Sequence, residues 1–241
     1  MSPPTPDEPV VPAMSDPPDV PRVPAPWSLR GNAWIVLLRL PPQAEARHAF
    51  VSAELQRSLA APVSALMFVD YLEAPCGPYR ELLFIPGVMR FPDGRRHASI
   101  SRILVSTWDS VVNGRANWGI PKDRGDFDIV RRPEIERLTV SEGERQICRL
   151  DFEPARGLRL PLTTSWLPAS WLTLAQSYEG RVYYYAPTAR GSMKTCRLLK
   201  WEFDRASFPD LTPATVVSAL RIEDFALEFP VARVASIDNA H

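Results

Sequence analysis

From Trp27 onward the chain is a succession of short apolar segments, rich in β-branched and aromatic side chains and closed off by Pro or Gly. Runs this short suit strands, since a globular helix usually needs about ten residues or more. Segments 33–40, 63–71, 80–86, 99–106, 127–131, 135–140, 147–153, 181–185, 193–203 and 222–234 carry the pattern. In 193–203, Leu199, Trp201 and Phe203 are expected on one face, and Lys200 and Glu202 on the other. Helical spacing is confined to three places: 44–59, where Phe50, Val51, Leu55 and Leu59 recur; 108–118, with Thr107 or Asp109 as cap; and 213–220, with Pro213 in its first turn. So many strands and so few helices predict a mainly β (α+β) fold, a large antiparallel sheet system, closed or sandwiched, with a few helices.

Residues 1–26 hold ten prolines and almost no large apolar side chain, too little to offset the entropy of ordering. A disordered arm is expected there, then one domain at 27–235 and a short tail at 236–241. The arm also admits a third reading, docking to a partner in polyproline form. The 28 basic and 28 acidic side chains cancel, and the basic ones are spread along the chain, so no footprint for nucleic acid or an anionic membrane is expected. The longest clear apolar run, 33–38, is far below the ~20 residues of a bilayer span. The start has neither the basic nor the apolar region of a secretory signal, and a cytoplasmic protein is expected. Cys76, Cys148 and Cys196 are odd in number and far apart, which suits reduced thiols; with His48, His97 and His241 the only histidines, neither a metal site nor another cofactor is expected.

Of the 28 basic residues only Lys122, Lys194 and Lys200 are lysines, so amine chemistry has three candidates. Lys122 stands out because Pro121 pushes Ile120 out of helical geometry and presents the lysine on a stiff segment after Trp118, Gly119 and Ile120. An amine with a reference pKa of about 10.4 attacks carbon only when an enclosed pocket or a neighbouring cation favours its neutral form. On position alone a solvated lysine following a helix is the simpler account of Lys122. Lys194 and Lys200 share one strand face with Glu202 and read as a solvated row. Glu81 shares its face with Tyr79, Leu83 and Ile85, placing a carboxylate in an apolar row; facing inward it would suit proton transfer, and at an edge it would pair with an arginine. Tyr183, Tyr184 and Tyr185 read as strand packing. Ser101, Ser106 and Ser110 lie near Asp109 but without a histidine, and the glycines form no phosphate-binding or dinucleotide pattern.

The stretch Asn113-Gly-Arg-Ala-Asn-Trp-Gly-Ile-Pro-Lys122 resembles the Gly-Arg-Glu-x-x-aromatic-Pro-Lys-Lys signature of acetoacetate decarboxylases, in a divergent form. The resemblance covers roughly 27–234, with specific motifs around 77–130. It implies a double-layered antiparallel β-cone or barrel with a few outer helices, and Lys122 as the lysine that forms a Schiff base with substrate. It also implies Glu81 as the active-site glutamate, Arg30 as the active-site arginine orienting a carboxylate, and homo-oligomeric assembly. The family's second lysine is Asp123 here, so its cation is missing; successive side chains in an extended segment face opposite ways, which would leave Asp123 outside the pocket. The resemblance thus implies a lyase acting on a small keto acid by decarboxylation, or by aldolase or dehydratase chemistry. The competing expectation is a non-catalytic protein holding an apolar metabolite in the barrel interior.

Overall fold

The computed structural model describes residues 17–165 and 167–236. In chain order the strands are β1 (Trp27–Arg39), β2 (Ser64–Glu73), β3 (Tyr79–Ile85), β4 (Val88–Arg90), β5 (Arg96–Ala98), β6 (Arg102–Val105), β7 (Lys122–Arg124), β8 (Asp126–Arg131) and β9 (Glu136–Glu142). They continue with β10 (Arg145–Glu153), β11 (Leu160–Thr163), β12 (Leu174–Tyr178), β13 (Arg181–Tyr185), β14 (Thr188–Thr195), β15 (Arg197–Phe203), β16 (Thr215–Phe229) and β17 (Arg233–Ser236). The helices are α1 (Ala53–Gln56), α2 (Trp108–Trp118) and α3 (Ala169–Leu172). An eight-stranded sheet runs β11-β14-β16-β1-β2-β3-β6-β7, a four-stranded one β15-β10-β9-β8, and a five-stranded one β17-β13-β12-β5-β4. Among the described residues every paired couple of strands is antiparallel except β6 with β7 and β5 with β12.

Alternation along the large sheet divides its apolar side chains into two cores. Trp34, Val36, Leu66, Phe68, Leu82 and Phe84 point to one side and pack against the four-stranded sheet, where Leu138, Leu150 and Phe152 are buried. Val69, Tyr71, Tyr79 and Leu83 point to the other side, towards Val111 and Trp118 of α2 and Tyr183 and Tyr185 of β13. The mainly β, layered architecture expected from the strand count is the one observed.

Several elements differ from expectation. The helix at 44–59 is cut to a 3-10 turn, Glu45–Arg47, and α1, because Phe50 takes φ 61° between them and Val51 turns inward to a small core with Met89 and Phe91. Residues 213–220 are not helical: Val216 and Val217 are β-branched, and 215–220 open β16, which pairs with β1 from Thr215↔Arg39 onward. Segment 193–203 is two strands in different sheets, β14 against β16 and β15 against β10, parted at Cys196. A bulge in β15 puts Leu199 outward and Leu198 inward, reversing the expected face at that point. Segment 222–234 likewise divides, with Pro230 between β16 and β17. The end of the proline-rich arm is held rather than loose: Val23 N–H donates to Asn113 Oδ1 (2.7 Å), while the Asn113 and Asn117 amides donate to the carbonyls of Pro21 (3.0 Å) and Val23 (2.9 Å). Residues 1–16 and 237–241, the rest of the arm and nearly all of the tail, lie outside the described residues. No helix among the described residues is long and apolar enough to cross a membrane.

Candidate active site

Helix α2 and strand β7 bring the lysine of the proline-lysine motif into the interior. Thr107 Oγ1 caps α2 by accepting from Ser110 N–H (3.3 Å), and Gly119, at φ 61°, ends it with its N–H on Arg115 O (2.9 Å). Ile120 and Pro121 then turn the chain into β7, which runs parallel to β6 with Lys122 beside Ile103. Ile103 is in turn beside Leu83 of β3, and Glu81 is beside Val105, so Lys122 and Glu81 occupy one face two strands apart. Strands lie ~4.8 Å from each other, and the lysine chain spans β6 to reach the carboxylate.

There Lys122 Nζ donates to Glu81 Oε2 (2.9 Å) and to Ser110 Oγ (3.1 Å), and lies 5.0 Å from the centre of the Tyr79 ring. Lys122 is 3% exposed and Glu81 5%. The Tyr71 hydroxyl donates to Glu81 Oε1 at 3.4 Å. Burial, reinforced by the Glu81 carboxylate, pushes the phenols of Tyr71 and Tyr79 well above their ordinary range, so both stay protonated as donors. Burial likewise pushes the nearby Cys76 thiol up to about 11, which removes it as a thiolate at neutral pH.

Gly114 is one helical turn on from Ser110 and faces the same way. A Cβ there would stand 2.6 Å from Lys122 Cδ and 2.8 Å from Cε, so the helix can lie against the lysine only because this position has no side chain. Of these site neighbours, Tyr79 is the one that strand alternation had set on the face of Glu81; Tyr71 went unnoticed, Ser110 was set aside for want of a histidine, and Gly114 stood in the motif stretch without a role of its own. Besides its place in that motif stretch, Gly114 carried the signal of a glycine inside a helix, which costs about 1 kcal/mol relative to alanine and marks a close approach.

Lys122, Glu81, Tyr71 and Tyr79 line a cavity of about 420 Å³ whose walls, Thr164 apart, are otherwise apolar, including Val69, Leu83, Ile103, Trp118 and Phe229. Asp123, next in sequence, points the other way. Its carboxylate accepts from Arg102 (2.5 Å) and Arg115 (3.0 Å), and Arg115 Nε also donates to the Lys122 carbonyl (2.9 Å). The carboxylate that replaces the family's second lysine therefore fixes the backbone of β7 from behind the cavity. A second hollow of about 510 Å³ lies on that side, between Phe50, Arg102, Asp123 and Gln176; no lysine is among the described residues that line it.

Arg30 is not brought to the site. It is exposed, beside Glu73 and Ala226 on neighbouring strands, and opens on a polar hollow with Arg190, Asp224 and Glu228. Leu29, the preceding residue, is the one that lines the lysine cavity, so alternation turns Arg30 away from it. The other two lysines are in ion pairs elsewhere, Lys194 with Glu223 (3.1 Å) and Lys200 with Glu202 (2.6 Å). Ser106 Oγ accepts from Arg80 N–H (2.8 Å), and Tyr183, Tyr184 and Tyr185 are buried in the packing of β13.

The succession of sheets around this cavity is the acetoacetate decarboxylase fold. The acetoacetate decarboxylase of Legionella pneumophila superposes with a TM-score of 0.68 over 93% of each chain at 15% identity. An acetoacetate decarboxylase-like enzyme from Sphingomonas wittichii RW1 gives 0.63 over 88% of this chain and 93% of that one, at 14% identity. The enduracididine biosynthesis enzyme MppR, in complex with pyruvate, gives 0.59 over 88% and 91%, at 16% identity. No protein-family model and no curated protein matches the sequence.

Proposed function

We propose that this chain is an acetoacetate decarboxylase-like enzyme that holds a carbonyl substrate as a Schiff base on Lys122. The observation that carries the reading is a buried amine at the polar end of an apolar cavity, within 2.9 Å of a carboxylate and 3.1 Å of a hydroxyl. Glu81 takes a proton from the ammonium, the neutral Nζ attacks the carbonyl carbon, and the carbonyl oxygen leaves as water. Two of the three ammonium protons depart in that water and one stays on the iminium, so Glu81 relays protons and ends ionised. The phenols of Tyr71 and Tyr79 are donors for the oxygen as it gains charge. The iminium then serves as an electron sink for breaking a bond at the adjacent carbon. A small keto acid undergoing decarboxylation, or aldolase or dehydratase chemistry, is what the family resemblance implies, and complexes of MppR with pyruvate and with a pyruvate condensation product agree with carbonyl substrates on this fold.

Borohydride reduction in the presence of acetylacetone, followed by peptide mapping of all three lysines, tests the reading. A stable adduct confined to Lys122, lost in Lys122→Met, is the expected result. Absence of any adduct on the folded protein would overturn it and favour the second reading, a container for an apolar metabolite. The apolar lining supports that second reading, and ligand retention would then survive Lys122→Met.

A further inference from the structure

Resting on the imine reading above, we infer that the carbonyl compound Lys122 takes is a neutral aldehyde or ketone with an extended hydrocarbon body, not a small keto acid. Charge balance is the first argument. Among the described residues lining the cavity, Lys122 is the only cation and Glu81 the only anion, and they already neutralise one another at 2.9 Å. A substrate carboxylate would add an uncompensated negative charge to an interior that is otherwise almost entirely hydrocarbon. Taking such a charge out of water costs several kcal/mol unless a partner cation receives it. The arginine that the family motif suggests and those beside β7 do not offer one: Arg30 opens on the polar hollow outside, and Arg102 and Arg115 lie behind β7 against Asp123. Forming the iminium leaves this balance unchanged, because its single positive charge replaces that of the ammonium.

Volume and lining give the second argument. At about 420 Å³ the cavity lies in the range of roughly 300–1,000 Å³ that accommodates drug-sized molecules, and a small keto acid would leave much of it empty. Four of its polar groups, Lys122, Glu81, Tyr71 and Tyr79, belong to one hydrogen-bonded or ring-contact cluster, which suits one carbonyl, and the hydroxyl of the fifth, Thr164, is taken up by the Ala189 backbone. The remainder of the wall, from Met67 and Ile85 to Leu227 and Phe229, suits a hydrocarbon body. Such a substrate has no carboxylate to lose. The iminium instead acidifies the adjacent C–H bond, Glu81 takes that proton, and the bonding electrons form an enamine. The enamine is restored by return of a proton or adds to a second carbonyl.

The test sets methyl octyl ketone against pyruvate and acetoacetate at equal concentration, with borohydride trapping and mapping of Lys122, Lys194 and Lys200. Methyl octyl ketone is expected to label Lys122 at least tenfold faster than either keto acid. In deuterium oxide it is also expected to exchange its α-hydrogens in a way that Glu81→Gln abolishes. If pyruvate or acetoacetate labels Lys122 as fast as the ketone or faster, the substrate inference falls while the imine reading stands. If no compound labels Lys122, the imine reading falls and takes the inference with it.

Discussion

At the scale of single residues, the site depends on one missing methyl group as much as on its charged pair. Placing a Cβ at Gly114 would drive Lys122 Cδ and Cε from their positions, since the built distances of 2.6 and 2.8 Å are shorter than carbon atoms tolerate. Gly114→Ala should raise the helix propensity of α2 by about 1 kcal/mol and yet lower the rate of borohydride trapping at Lys122. Misplacement of a reacting group by an ångström can cost roughly a hundredfold, and a loss of at least tenfold is expected at unchanged fold, judged by circular dichroism. An unaltered trapping rate would show that the amine has room to move. Local pattern left two readings open for Lys122 and for Glu81, solvated or enclosed, and the family motif pointed to the enclosed one. Proline stiffens the segment that presents the first, and period-two alternation puts the second in one row with Tyr79, Leu83 and Ile85, the row that the structure turns to the cavity. Arg30 was mislocated because order along the chain does not give facing, and the ladder on each side of β1 slips here, the one with β2 between Arg30 and Gly31 and the one with β16 between Gly31 and Ala33. Gly31 tolerates that irregularity because its backbone presses on the carbonyl of Asp70, where a Cβ would come within 2.2 Å.

At the scale of elements, the four-stranded sheet is tied by a charged cluster whose pH response can be stated with its sign. Asp151 on β10 is 3% exposed, faces Arg137 across the ladder (2.8 Å), and is also held by Arg149. Burial by itself would push this carboxyl up, but the hydrogen bonds from Arg149 and Arg137 outweigh it and hold the group at about 2, below its ordinary 3.8. Since the folded value lies below the unfolded one, the stabilisation is complete above about pH 4 and is lost as pH falls towards 2. At roughly 1.4 kcal/mol per pH unit it amounts to about 2 kcal/mol. Urea unfolding should therefore find Asp151→Asn less stable than the parent by about 2 kcal/mol at neutral pH, with the two curves converging in acid. A constant difference down to pH 2 would assign the loss to packing instead. Elements were legible where local signals agreed: α2 carries a cap, a helical core and a glycine stop, and spans the predicted Trp108–Trp118. They were not legible where long-range pairing decided the outcome. Val216 and Val217 follow a proline that could have opened a helix, but partners on β1 and β14 draw this stretch and the residues after it into β16. The break at Cys196 and the bulge at Leu199 likewise follow from which sheet each half joins.

At the scale of the whole molecule, the central sheet separates a core that holds the fold together from a core that holds the cavity. Phe152 of β10 belongs to the first, fully buried where the four-stranded sheet meets the central one, whereas Leu83 belongs to the second and forms part of the cavity wall. Their side chains lie on opposite sides of the central sheet, so the two should act independently. Phe152→Ala opens a void in a closed apolar core and should lower the unfolding free energy by about 3–5 kcal/mol. Below the unfolding temperature its rate of Lys122 trapping should stay within about twofold of the parent, because no wall of the cavity has changed. Leu83→Trp should do the reverse. The added ring enters space that is already open, which spares the strain of overpacking and keeps stability within about 1 kcal/mol, while it shortens the cavity that receives a hydrocarbon body. Trapping of methyl octyl ketone should then fall at least tenfold while that of acetylacetone, a far smaller diketone, stays within about threefold. Equal losses for both ketones would mean that Leu83 positions the amine rather than bounding the cavity. A trapping defect in Phe152→Ala would mean that the two cores are mechanically joined through the sheet between them.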